Sequence, residues 1–70
     1  MKRSEVLKRI RKAAKARGVE YAEQELTRHT GITVGGISTT VPRHSEIQDL
    51  MAQVIFKQLE SVLGKGWWRS

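Results

Sequence analysis

Gly31-Ile32-Thr33-Val34-Gly35-Gly36-Ile37-Ser38-Thr39-Thr40-Val41-Pro42 is the stretch that decides the fold. Ile32 and Val34 alternate with Gly31 and Thr33, and Ile37 and Val41 flank Ser38, Thr39 and Thr40. Apolar side chains at every second place suit a strand with one covered face. Gly35-Gly36 between the two runs accepts the positive φ of a tight hairpin turn. The spacing therefore predicts antiparallel strands over about 30–34 and 37–41. Pro42 cannot donate to a ladder and ends the second of them.

Upstream, Tyr21, Glu23, Glu25 and Thr27 alternate with Ala22, Gln24 and Leu26. This period suits a first strand over about 20–28, with a weak apolar face. Further back, Val6, Leu7, Ile10, Ala13 and Ala14 recur at helical spacing and predict a helix over 4–17. Ser4 is a suitable N-cap and Gly18 a suitable C-terminal stop. Downstream, Ser45 and Gln48 have capping-box spacing. Ile47, Leu50, Met51, Val54, Ile55, Leu59, Val62 and Leu63 then follow at intervals of three and four, predicting a helix over 45–63. Residues 64–70 are left as a tail, in which Trp67 and Trp68 could stack on bases, pack back on the core or hang loose. The order is helix, three strands, helix. It reads as one α+β domain over 1–70, a two-layer α-β-β-β-α sandwich whose antiparallel sheet carries both helices on one face.

The 70 residues leave no room for a second domain or a large internal cavity, so any chemistry belongs on the surface. There is no cysteine, which removes disulfides and zinc–thiolate sites and fits an intracellular protein. No apolar run approaches the roughly 20 residues that cross a bilayer. The basic start, MKRSEVLKRIRK, lacks the apolar stretch of a secretory signal. The cytoplasm is the expected location, with no membrane partner. Thirteen Lys and Arg against seven Asp and Glu give a net charge of +6. That balance points to a nucleic acid or an acidic protein as partner, or to charge kept for solubility.

Histidine is the side chain that titrates nearest neutrality. His29 stands at the end of the first strand in Thr27-Arg28-His29-Thr30. It could take a proton from a ribose 2′-hydroxyl or return one to a leaving oxygen, with Arg28 holding the phosphate. A surface histidine without a role is the alternative. Arg43 and His44, just before the second helix, could meet a phosphate at its N-terminus, or His44 could only shape the helix entry. Lys8, Arg11, Lys12 and Lys15 give the first helix a basic face able to grip phosphates. Glu23 and Glu25 share a strand face, but no third ligand at a useful spacing completes a metal site, and they read as solvated. No cofactor is expected.

The element order, the histidine after the first strand and the run Thr39-Thr40-Val41-Pro42-Arg43-His44-Ser45-Glu46-Ile47 together resemble the HicA toxins of bacterial and phage toxin–antitoxin systems. The resemblance spans Ser4 to Leu63. It implies a double-stranded-RNA-binding-domain-like fold and metal-independent endoribonuclease activity on messenger RNA. It also implies inhibition by a HicB-like antitoxin that covers the active site. The catalytic histidine of that family lies in a Gly-Ser-His stretch, which maps onto Thr27-Arg28-His29, with Thr and Arg in place of Gly and Ser.

Overall fold

A computed structural model describes residues 1–69. Helix α1 runs Arg3–Arg17, strands β1, β2 and β3 run Tyr21–Glu25, His29–Val34 and Ile37–Pro42, and helices α2 and α3 run Asp49–Gln58 and Glu60–Leu63. A 3-10 turn follows at Trp67–Arg69. The three strands form one antiparallel sheet in the order β1-β2-β3. Gly35 and Gly36 adopt φ of 54° and 89°, and Val34 pairs with Ile37 across them, as the Gly-Gly turn requires.

Alternation gives the sheet two unlike faces. Thr30, Ile32 and Val34 of β2, with Thr39 and Val41 of β3, are buried beneath the helices. Val6, Ile10 and Ala14 of α1 and Ile55, Phe56, Leu59 and Leu63 of the C-terminal helices complete this core. The opposite face is open.

The first strand is shorter than its pattern suggests. Leu26 N–H donates to the His29 carbonyl at 2.9 Å, so Thr27 and Arg28 form a two-residue turn. His29 thereby becomes the first residue of β2.

Both serine caps expected from the sequence are absent. Ser4 lies inside α1, which is preceded by Lys2 without a side-chain cap bond. Helix α2 begins at Asp49 rather than Ser45, and Gln48 before it makes no side-chain cap bond. One long-range contact explains both shifts. Residues 1–3 run antiparallel to 45–47, with Ile47 N–H donating to Met1 O at 2.7 Å and Arg3 N–H to Ser45 O at 3.0 Å. That pairing satisfies one of α1's free amide donors and holds residues 45–47 extended, out of the helix.

The second helix also breaks once. Leu59, at φ −101° and ψ 5°, separates α2 from α3. The Phe56 carbonyl accepts Leu59 N–H at 3.1 Å and the Trp67 indole N–H at 2.9 Å. The tail is therefore built into the fold. Trp67 meets Phe56 edge-on at 5.0 Å between ring centroids, and Trp68 lies at 5.8 Å from the same ring. The last residue of the expected tail, Ser70, lies outside the described residues.

Candidate nucleic-acid interface

The two-residue turn at Thr27–Arg28 puts His29 at the head of the central strand, aligned with Pro42 of β3. His29 alternates with buried Thr30, so it belongs to the open face with Gly31 and Thr33. The register adds Ala22 and Gln24 from β1 and Ser38 and Thr40 from β3 to that face. None of these neighbours is charged. Gly31 has a particular reason to lack a side chain. A Cβ there would stand 3.3 Å from the Gln24 carbonyl and 3.5 Å from the Leu26 side chain. Its absence lets Leu26 fold over the face beside His29.

The turn is held from the other side of the sheet. Glu25, Thr30 and Val41 are in register, and Glu25 projects to the covered face. Its carboxylate meets the Arg43 guanidinium at 2.5 Å and accepts the Thr30 hydroxyl proton at 3.0 Å. Arg43 also donates to the Leu26 carbonyl at 2.8 Å. Arg3 reaches in from α1, donating to the Thr30 hydroxyl and, at 3.1 Å, to the Pro42 carbonyl. This chain ties all three strand ends and α1 together beside His29. The exposed Glu25–Arg43 pair contributes about 0–1 kcal/mol. The hydroxyl of Thr30 is buried, and leaving it unpartnered would cost about 1–3 kcal/mol.

Arg28, His29 and Arg43 are thus gathered at one end of the sheet, and Arg28 is exposed at the tip of the turn. The expected phosphate site of Arg43 and His44 at a helix N-terminus does not form. Residues 45–47 pair with the chain start, α2 opens at Asp49, and Arg43 turns to Glu25. His44 stays exposed in the intervening loop.

Lys8, Arg11, Lys12 and Lys15 are all exposed on α1. They do not share a surface with His29, because α1 covers the opposite face of the sheet. They also recede from its end. At about 1.5 Å per residue, Lys15 lies about 18 Å along the axis from Arg3. Two of them, Lys8 and Lys12, also line the groove between α1 and the C-terminal turn, with Arg9 and Arg17 and beside Trp67 and Trp68. The Arg69 guanidinium lies 5.3 Å from the Trp68 ring centre. With Phe56 and Trp67 also against it, Trp68 stacks on protein.

Arg3, Glu25 and Thr30 escaped the sequence reading. Glu25 read as a solvated carboxylate, although its period with Tyr21 and Glu23 put it on the covered face. Tyr21 belongs to that same face, and its hydroxyl is buried without a hydrogen-bond partner among the described residues. Burial first, and then the neighbouring Glu23 carboxylate, raise the ionisation of its phenol above the usual tyrosine value, with Arg11 and Arg3 opposing. Among the described residues no three His, Cys, Asp or Glu side chains lie close enough to hold a metal ion together. No helix among the described residues is long and apolar enough to cross a membrane.

No family model matches the chain, and no curated protein or solved structure matches it either.

Proposed function

We propose that this chain is a HicA-type toxin, a metal-independent endoribonuclease that cleaves messenger RNA in the cytoplasm and is held inactive by a HicB-like antitoxin. The observation that carries the reading is the position of His29. It is an exposed imidazole heading the central strand, on an uncharged face that Leu26 partly covers, beside a turn braced by Glu25 and Arg43. Such a face admits a ribose–phosphate backbone close to the histidine. In the proposed reaction His29 takes the proton of a 2′-hydroxyl, whose oxygen attacks the adjacent phosphorus. The bond to the 5′-oxygen breaks and that oxygen receives the proton held by the His29 imidazolium, leaving a 2′,3′-cyclic phosphate, a 5′-hydroxyl and a neutral imidazole. Arg28 offsets the charge that builds on the phosphoryl oxygens. Lys8, Arg11, Lys12 and Lys15 hold phosphates without reading sequence, on a stretch of RNA away from the scissile one. On a double-stranded-RNA-binding-domain-like scaffold these contacts follow A-form shape and 2′-hydroxyls.

The test is incubation of the purified chain with end-labelled messenger RNA in EDTA, beside His29→Ala. Cleavage by the parent alone, with cyclic phosphate ends, is the expected result. Products carrying only 5′-phosphate and 3′-hydroxyl ends would sink the mechanism. A second reading, a non-catalytic RNA-binding module on the same fold, is favoured by one feature. Thr27 and Arg28 stand before His29 where the HicA family has Gly and Ser. Salt-sensitive RNA binding without cleavage by either protein would establish that reading.

A further inference from the structure

The two edges of the sheet are unlike. The β1 edge carries Glu23 and Glu25, charges of the kind that discourage pairing with another chain. The β3 edge, Ile37 to Pro42, carries no charge at all. In a hairpin closed at Val34–Ile37, Ser38 and Thr40 turn their backbone N–H and C=O groups outward. Pro42, at the next outward place, has no N–H to offer. Alongside this edge lies the outer side of α2, where Leu50, Met51 and Val54 are 76%, 45% and 50% exposed. Met51 and Val54 line a groove with Ser38, Thr39 and Thr40. An unpaired strand edge and an exposed apolar helix flank therefore form one continuous strip.

We propose that this strip is where two copies of the chain pair, β3 against β3, into one six-stranded sheet. The charge distribution selects the occupant. A polyanion finds no cation between Ile37 and Pro42, and a charged protein finds no counter-charge there. A second copy, itself of net charge +6, can approach this strip without its own basic residues meeting a charge of the same sign between Ile37 and Pro42. The strip is also self-complementary about a two-fold axis. Centred on Thr39, antiparallel pairing sets Ser38 opposite Thr40 of the second copy and the reverse, exchanging all four outward backbone groups. Pro42 keeps the register from extending further. The same axis brings Met51 and Val54 of both copies together over the covered face. It stands perpendicular to the sheet, so both His29 side chains fall on one face. They lie about 25 Å apart, from about 10 Å along each strand and three strand spacings across.

Light scattering on the whole chain at rising concentration tests this. The mass should climb from 8.0 kDa towards twice that value by hundreds of micromolar. The Ser38 and Thr40 amides should exchange more slowly with deuterium as it does. Val54→Lys, at an exposed site that leaves the fold intact, should raise the dissociation constant roughly a hundredfold or more, since it opposes like charges. Circular dichroism confirms that the variant is folded. A mass that stays at 8.0 kDa throughout overturns the proposal. So does a dimer that Val54→Lys leaves unchanged, or a monomer that takes up an added antitoxin at this edge.

Discussion

Replacing Glu25 with Gln removes one negative charge from the brace beside His29 while keeping its shape. The amide oxygen still accepts the Thr30 hydroxyl, so the buried partner of the network remains satisfied. What is lost is the contact with Arg43 at 2.5 Å, between side chains 44% and 63% exposed. An exposed pair of this kind is worth about 0.2–1 kcal/mol. In a domain of this length that lowers the melting temperature by a few degrees. The larger effect is on RNA. Two unit charges about 4 Å apart in water-like surroundings interact by about 1 kcal/mol, so Arg43 released from Glu25 should tighten RNA binding about fivefold. If the freed guanidinium takes a phosphate, the slope of log affinity against log salt for a single strand steepens by about 0.7. Fluorescence polarisation of a labelled RNA across a salt series, with thermal melts of both proteins, measures each quantity. A folded Glu25→Gln protein with the parent's affinity and salt slope would refute the reasoning, because Arg43 would then be out of reach of any phosphate.

Two further outcomes follow from the packing. Trp67→Phe keeps the ring against Phe56 but loses the indole bond to its carbonyl, and should cost about 1 kcal/mol. Trp67→Ala also loses the edge-on contact and should cost about 2–4 kcal/mol, most of the stability expected of so small a core. Urea unfolding separates these values from the near-zero effect that a loose tail would give. Tyr21 links stability to alkaline pH. Its phenol ionises less readily in the fold than in the unfolded chain, so the unfolded state loses the proton first. Stability is intact below about pH 10 and falls as pH rises beyond it. Tyr21→Phe should shrink that fall, and at neutral pH should be no less stable, since the hydroxyl it removes has no partner. Urea midpoints at about pH 8 and about pH 11 decide it, and an equal fall in both proteins counts against the assignment.

The parts of the fold that were legible in the sequence are those governed by neighbours. Gly35-Gly36 between alternating runs specifies a hairpin because turn geometry and side-chain period are both local. Gly18, at φ 68°, closes α1 for the same reason. Ser4 and Ser45 misled because a capping signal says nothing about a strand-like partner more than forty residues away, and the pairing of 1–3 with 45–47 overrode both. The break at Leu59 was equally hidden, since the apolar spacing continues through it while the indole that takes up the Phe56 carbonyl comes from outside the helix. At the candidate site, the exposure of His29 followed from its place at a turn. That Arg43 is engaged by Glu25 did not, because those residues meet only once the strands are aligned. The basic row of α1 was legible as a row. Which side of the sheet it would occupy depended on the packing.

The connectivity has a kinetic consequence. Both links within the sheet are two-residue turns, and hairpins of that kind close in about 1–10 μs. The contact between the chain start and residues 45–47 is of a different order, because it closes a loop spanning most of the molecule. Closing that loop costs more chain entropy than closing either hairpin, though the cost grows only slowly with loop length. The segment that captures the first three residues looks, in sequence, like the start of a helix, so the widest backbone pairing among the described residues depends on that segment staying extended.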